Sequence, residues 1–428
     1  MAVSLLSSLS LTYESVIPYF LLMALFVAEA WLIQNTLPFF KRHLSHSKAA
    51  GKHFVELDGL RGILAISVFF PHCQCFRQRF QTGIWTQPTS HFYTQLGVAP
   101  VAVFFLITGF LFWSKAQKGT LGTWPTYFKR RLQRLYPAYL LALILIATVV
   151  AFCTQFQLRT SIVRVFEAAF SYLTFVLVPA PPLNNFAEIQ LVNANVFWSL
   201  RVEWMFYISL VFLAFFARTT RRQIVLALIA VSAYFALPFI QPHLRVTGFG
   251  SLGIGTLEYF NNYLVCYFSV GMAAAFIHAR WNLRSLLGKP VFGCIGVLAT
   301  IAVLFLVTPK VSFLEGAILG IPFLLIVFGN SFWGLLRLRP LVLLGEISYS
   351  TYILHGTVLF VVYSGLARAV PVASFGPLAF WAVSAVAGMI VVALSSLSYR
   401  YVESPFMAKR SEARSQPVLA EISHAEIA

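Results

Sequence analysis

The sequence predicts an all-α fold, a polytopic bundle of about eleven transmembrane helices. Of the 428 residues, 59% are hydrophobic and only 11% are charged, and the mean hydropathy is +0.79, values atypical of soluble domains. Apolar segments long enough to cross a bilayer recur along the chain. Clusters of Lys and Arg separate them, so the net charge of +17 indicates cytoplasmic loops of a membrane protein rather than a surface for nucleic acid.

The predicted spans follow one another from the N-terminus to residue 397. They lie approximately at residues 13–37, 57–75, 91–113, 137–152, 196–216, 223–240, 259–278, 290–307, 316–332, 341–363 and 375–397. The apolar segment 162–178 is shorter than a span, and several prolines follow it. If it crossed the membrane, the next basic cluster would lie outside, so we predict an interfacial or re-entrant helix there.

Most Lys and Arg residues fall in alternate connections, which predicts an N-terminus outside and a C-terminus in the cytoplasm. This is the topology expected of a multi-pass protein of a bacterial inner membrane. Residues 1–52 comprise a first helix and a basic loop, residues 53–406 form the main membrane domain, and residues 407–428 form a polar cytoplasmic tail. The five cysteines lack the spacing of a zinc site, so no metal is predicted.

The second span carries two ionisable residues, Arg61 and His72, within an apolar segment. On a continuous helix they share one face and lie about 16 Å apart along the axis. Ionisable side chains are costly in lipid and usually mark a functional site, and a neutral imidazole is a suitable general base. The alternative is that Arg61 extends to the interface and His72 is a hydrogen-bonded core residue. Asp58 lies one turn before Arg61 and is expected to orient it.

Two basic residues at the cytoplasmic start of the fourth span, Arg131 and Arg134, are one helical turn apart. They present two guanidinium groups to one ligand, an arrangement suited to phosphates. Tyr136 and a proline follow directly, which makes the pattern more specific than charge alone. The alternative is the ordinary positive charge of an inner loop.

Two further spans carry polar residues at helical spacing. Glu203, one turn after Ser199, needs a partner within the membrane, either a structural arginine or the candidate base. In the tenth span, Ser348, Tyr352 and His355 share one face. A polar seam between packed helices explains this pattern as well as a functional site does.

These motifs resemble those of the acyltransferase 3 family of integral membrane acyltransferases. The resemblance covers residues 56–406 and includes six motifs in order: Arg61 with His72, the segment 104–110 with Thr108 at its usual serine position, Arg131 with Arg134, and the segments 198–207, 344–355 and 399–406. The chain departs from the family pattern in its additional N-terminal helix before a ten-helix core and in Pro71 just before His72. No fused extracytoplasmic esterase domain is evident.

The resemblance implies transfer of an acyl group, usually acetyl from cytoplasmic acetyl-CoA, to a hydroxyl of a sugar or glycoconjugate. It implies that His72 is the base or acyl carrier, that Arg61 positions the thioester or the histidine, and that Arg131 and Arg134, with Tyr136, hold the phosphates of CoA. Glu203 completes the predicted catalytic set. The expected partners are acyl-CoA, a carbohydrate acceptor and membrane lipid, and no nucleic acid.

Two other functions compete with this prediction. A second class of membrane acyltransferase uses a histidine in a long apolar helix, for which His355 would be the candidate, but it does not account for the spacing of Arg61 and His72. A transporter or flippase would use Glu203, Glu346 and Arg61 as coupling charges, but the sequence shows no internal repeat of the transporter kind. Release of free thiol from acetyl-CoA distinguishes an acyltransferase from a transporter.

Overall fold

The computed structural model describes residues 12–49, 54–178, 181–246 and 260–407. Regular structure in these ranges is helical, and we number the helices in chain order: α1 (Ile17–Thr36), α2 (Pro38–Ala49), α3 (Val55–Ser67), α4 (Phe69–Thr82), α5 (His91–Gln117), α6 (Trp124–Cys153), α7 (Ile162–Leu173), α8 (Ile189–Val192), α9 (Phe197–Leu213), α10 (Thr220–Val246), α11 (Ser269–Arg280), α12 (Arg284–Leu287), α13 (Pro290–Phe305), α14 (Phe313–Val327), α15 (Arg339–Glu346), α16 (Ser348–Leu366) and α17 (Pro377–Ser398). The tail predicted at 407–428 lies almost entirely outside the described residues.

The prediction of a polytopic helical membrane protein is confirmed. Within the described ranges, six helical segments are long and apolar enough to cross a membrane: 17–36, 55–82, 91–117, 124–153, 260–280 and 377–407. The apolar helices α13 and α14 are shorter. The predicted span 341–363 is not one continuous helix, because the chain leaves helical geometry at Ile347 between α15 and α16. By length and composition together, six of the eleven predicted spans therefore have a matching helix among the described residues.

The central helix of the bundle is α16, whose residues 348–360 are all buried. It packs against α3, α4, α6 and α17. The segment formed by α3 and α4 and the helix α5 are mostly buried as well, whereas only 22% of the apolar window of α1 and 33% of that of α6 are buried. Arg61, His72 and His355 therefore lie on mostly buried helices, and Arg131 and Arg134 lie on the more peripheral helix α6.

The helix that carries Arg61 and His72 is one segment, residues 55–82, with a local irregularity at Val68 between α3 and α4. Val68 keeps α-helical dihedral angles, with φ −64° and ψ −23°. Pro71 explains the irregularity, because proline has no N–H to donate and its ring crowds the carbonyl of Ser67 four residues earlier. The two motif residues therefore lie on one helical segment, on either side of this irregularity.

Close contact between α3 and α15 depends on glycine. A Cβ atom added at Gly345 would lie 1.8 Å from the carbonyl oxygen of Asp58, and one added at Gly62 would lie 2.4 Å from that of Leu341. Both distances are far below van der Waals contact, so only glycine permits this approach of the two backbones. The contact fixes the helix of Arg61 against the beginning of α16.

The apolar segment 162–178, which follows α6, contains the short helix α7 of 12 residues. At about 1.5 Å per residue it is about 18 Å long, too short to cross a hydrocarbon core of about 30 Å. Its large apolar side chains form one exposed face, made by Ile162, Val163, Phe166, Phe170 and Leu173. An exposed apolar face on a short helix is typical of a helix that lies in the membrane interface.

Candidate active site

The site centres on two histidines that meet across helices. His72 on α4 places its Nδ1 atom 2.8 Å from the carbonyl oxygen of Val68 and 3.0 Å from Nε2 of His355 on α16. The Nδ1 atom of His355 lies 3.2 Å from the carbonyl oxygen of Thr351. His355 is fully buried, and His72 is partly exposed.

The backbone contacts assign the tautomers of both rings. A carbonyl oxygen only accepts hydrogen bonds, so each Nδ1 atom next to a carbonyl carries the proton. The single Nδ1–H group of His72 is then shared between the carbonyl oxygen of Val68 and Nε2 of His355, and Nε2 of His72 keeps its lone pair. An accepting nitrogen behind the base stabilises the imidazolium that forms when the base takes up a proton, as a carboxylate does in a catalytic triad.

His72 lines a cavity of about 510 Å³, which we call the outer cavity. Its aromatic wall consists of Trp85, Phe105, Trp198, Tyr263, Tyr267 and Tyr352, and Lys310 also lines it. A cavity of this volume is large enough for a small organic group or a sugar ring. The candidate base therefore lines a cavity that could hold an acceptor.

A second cavity of about 180 Å³, which we call the inner cavity, contains the other predicted site residues. Arg61, Arg131, Arg134 and Glu203 all line it. The guanidinium carbon of Arg131 lies 4.8 Å from the ring centre of Phe112. Arg61 contacts Asp58 at 3.7 Å, so the predicted contact between these two residues is present. The structure thus brings together three basic residues from α3 and α6 in one cavity.

Glu203 is held by hydroxyl groups. Thr108 donates to it at 3.2 Å, and Tyr207 donates a second hydrogen bond to the same oxygen. Neither of the two partners expected from the sequence, an arginine or the candidate base, makes these hydrogen bonds. Glu203 shares the inner cavity with Arg131, whereas His72 lines the outer cavity.

Arg131 and Arg134 differ in their surroundings although their spacing suggested equal roles. One terminal nitrogen of Arg134 donates to the fully buried carboxylate of Glu403 at 2.8 Å. Ser350 on α16 also donates to Glu403, at 2.6 Å. The sequence motif around Glu403 gave no indication of this pair, because the two residues are far apart along the chain.

Tyr136, the third predicted donor-binding residue, packs against aromatic rings. Its ring centre lies 5.8 Å from that of Phe175 and 6.4 Å from that of Tyr139. The arrangement places Tyr136 beside the segment that follows α7. Its observed contacts stabilise this aromatic cluster, whereas Arg131 and Arg134 line the cavity.

The two cavities share one wall, which we call the neck. Val101, Phe105 and Tyr352 line both cavities. The hydroxyl of Tyr352 shares a hydrogen bond of 2.6 Å with Oγ of Ser199 on α9. The basic residues of the inner cavity and His72 in the outer cavity therefore lie on the two sides of this shared wall.

Comparison with known proteins agrees with these features. Residues 54–398 match the acyltransferase domain family, Acyl_transf_3. "Protein 2 in picA locus" of Rhizobium radiobacter is 30% identical over 198 residues, which are 44% of this chain and 94% of that protein. "O-acetyltransferase OatA" of Staphylococcus aureus (strain NCTC 8325 / PS 47) is 25% identical over 385 residues, which are 84% of this chain and 58% of the relative. No solved structure matches the chain.

These matches define the class of protein as a membrane O-acyltransferase. The chain belongs to the acyltransferase 3 family, as its motifs predicted. It spans somewhat more than half the length of its O-acetyltransferase relative. Family membership favours acyl transfer over the transporter alternative, and the contact between His72 and His355 unites the two histidine candidates in one site.

Proposed function

We propose that this protein transfers an acetyl group from cytoplasmic acetyl-CoA to a hydroxyl of a carbohydrate acceptor that enters the outer cavity. The observation that carries the proposal is the His72–His355 contact, in which His72 lines the outer cavity, the cavity that shares the neck with the inner cavity. The basic residues suit the phosphates of the donor, and the aromatic wall of the outer cavity suits a sugar ring.

Acyl transfer here requires one proton to be moved twice. Nε2 of His72 takes the proton from the acceptor hydroxyl while its Nδ1–H group donates to His355. The acceptor oxygen attacks the thioester carbonyl carbon, and the tetrahedral intermediate collapses with cleavage of the carbon–sulfur bond. His72 then returns its proton to the thiolate of CoA. The products are the acetyl ester and free CoA thiol, and no net proton is consumed.

The donor side is assigned to the inner cavity. Arg131 and Arg134 offer charge-assisted hydrogen bonds to phosphate, and Glu403 fixes the orientation of Arg134. Arg61, which contacts Asp58, lines the same cavity, and this supports its proposed role in positioning the donor. The experiment that tests the function measures release of free thiol from acetyl-CoA by the purified full chain, with glycerol as the hydroxyl probe. A transporter would release no thiol, and that outcome would overturn the proposal.

We predict that replacing His355 by phenylalanine lowers kcat without changing the affinity for acetyl-CoA. Phenylalanine fills the space but cannot accept from Nδ1–H of His72, so the imidazolium loses a hydrogen bond worth about 1.5–3 kcal/mol, equal to about 10- to 100-fold in rate. The measurement is steady-state thiol release.

A double variant tests whether the two histidines act as a unit. If they do, adding His355→Phe to His72→Ala produces little further loss. If the rate reductions of the two single variants multiplied in the double variant, the coupling would be contradicted. His355 would then be a structural residue of the polar face of α16.

The proposed topology has eleven spans in the cell membrane of a bacterium, with the acceptor outside. We predict that a tag at the N-terminus is accessible only from the non-cytoplasmic side and a tag after Ala428 only from the cytoplasm. The large excess of Lys and Arg in the proposed inner loops is the physical reason. Accessibility to an impermeant label in intact and opened cells measures this, and labelling of both ends from one side would contradict it.

A further inference from the structure

The neck separates the two cavities on the proposed route. Its three side chains are all buried, with relative exposures of 5% for Val101, 3% for Phe105 and 8% for Tyr352. The space on either side is about 180 Å³ in the inner cavity and about 510 Å³ in the outer cavity. In the proposed function, a group that travels between Arg131 and His72 passes these side chains.

The walls of the neck are held firmly. The ring of Phe105 stacks on Phe268 with centres 4.9 Å apart and meets Tyr263 edge to face at 5.6 Å. On the opposite side, the hydroxyl of Tyr352 is bound to Ser199 at 2.6 Å and lies 3.3 Å from the carbonyl oxygen of Val196. Contacts of this kind restrict ring movement, because aromatic stacking and buried hydrogen bonds must both be broken to widen the neck.

A donor whose phosphates stay at the arginines reaches His72 with its acyl end first. The acyl group is therefore the part of the donor that passes the neck on every turnover. A hydrophobic site discriminates by about 10- to 200-fold for one methylene group when it cannot expand. The outer cavity does not provide this limit, since its volume exceeds that of a short acyl chain.

We propose that Val101, with Phe105 and Tyr352, sets the acyl length that the enzyme accepts and selects acetyl over longer acyl groups. This inference rests on the proposed function, because it assumes that the donor enters from the inner cavity. Val101 is the residue that decides the width, since it is the smallest of the three and its side chain has no hydrogen bond that holds it. The specificity is steric and located in the neck rather than at the histidines.

The test compares thiol release from acetyl-, propionyl- and butyryl-CoA by the purified full chain, with glycerol as the hydroxyl probe. In the wild type, kcat/KM is expected to fall by at least tenfold for each added methylene. Val101→Ala is expected to reduce the preference for acetyl over butyryl by at least tenfold. Val101→Phe is expected to abolish thiol release while the affinity for CoA, measured by calorimetry, stays within twofold.

A matched control is Val103→Ala, the same change on the same helix at a buried residue that lines neither cavity. The preference of Val103→Ala for acetyl- over butyryl-CoA is expected to equal that of the wild type. Val98→Ala enlarges only the outer cavity. The assignment to the neck would be overturned if Val101→Ala kept the wild-type preference for acetyl- over butyryl-CoA. It would also be overturned if Val98→Ala lost as much of that preference as Val101→Ala. Absence of thiol release from any donor by the wild type would instead refute the proposed function, so the two failures are distinguishable.

Discussion

Replacing His72 by alanine is expected to reduce thiol release from acetyl-CoA by about 10²- to 10⁴-fold, the usual contribution of a positioned acid–base group. The variant loses the lone pair of Nε2 that takes the acceptor proton. His355 cannot substitute for it, because its Nε2 atom lies behind His72 and its ring is fully buried. The measurement is kcat from initial rates with the purified full chain.

Folding must be controlled, since His72 also contacts a backbone carbonyl and a buried ring. Thermal unfolding and size-exclusion behaviour of His72→Ala should match those of the wild type within a few degrees. Cys75, which lines the same cavity and lies one turn away, provides a comparison variant, Cys75→Ala, that tests for general disturbance of this wall. Near-normal turnover by a folded His72→Ala protein would remove His72 from the mechanism.

Loss of Arg131 is expected to raise the dissociation constant of acetyl-CoA by about one to two orders of magnitude. A charge-assisted hydrogen bond to phosphate contributes about 1.5–3 kcal/mol, and each 1.4 kcal/mol is tenfold in affinity. Arg131→Lys keeps the charge but loses the planar fork, so it should recover only part of the affinity. The effect is measured as binding of acetyl-CoA at fixed salt concentration. If the wild type and Arg131→Ala bound acetyl-CoA equally well, the role of Arg131 would be limited to setting the membrane topology.

Arg134 is expected to behave differently from Arg131 in the same experiment. Arg134→Ala leaves the buried carboxylate of Glu403 without its charged partner, which costs about 3–5 kcal/mol of stability in a buried pair. We therefore expect a lower thermal unfolding temperature in addition to weaker donor binding. Arg134→Ala combined with Glu403→Gln should restore much of the stability but not the affinity. A stable Arg134→Ala protein would show that the pair contributes little.

Local sequence features predicted the residues that line the site better than they predicted how those residues are paired. Arg61 and Glu203 stand out as charges in apolar segments, and Arg131 and Arg134 stand out by their spacing of one helical turn. The tertiary structure places all four in one cavity. The hydrogen bonds of Glu203 were not predicted, because Thr108 and Tyr207 were visible only as members of motif segments, which do not show which residues pair.

The sequence contained the cause of the irregularity at Val68. Pro71 was noted as a departure from the family pattern, and proline inside a helix removes a hydrogen bond whatever its surroundings. The prediction of one helix for Arg61 and His72 agrees with the structure, in which residues 55–82 form one helical segment. Arg61 lines the inner cavity and His72 lines the outer cavity, an outcome that depends on how this segment packs against its neighbours.

Hydropathy, basic loops and motif spacing are properties of short segments, and they were sufficient to predict a helical membrane protein of the acyltransferase 3 family. Three features became visible in the folded chain alone: the contact of His355 with His72, the ion pair of Glu403 with Arg134, and the wall of Val101, Phe105 and Tyr352 between two cavities. These contacts join residues far apart in the chain. They arise from the packing of α16 against its neighbours, and helical periodicity carries no information about which helix faces which.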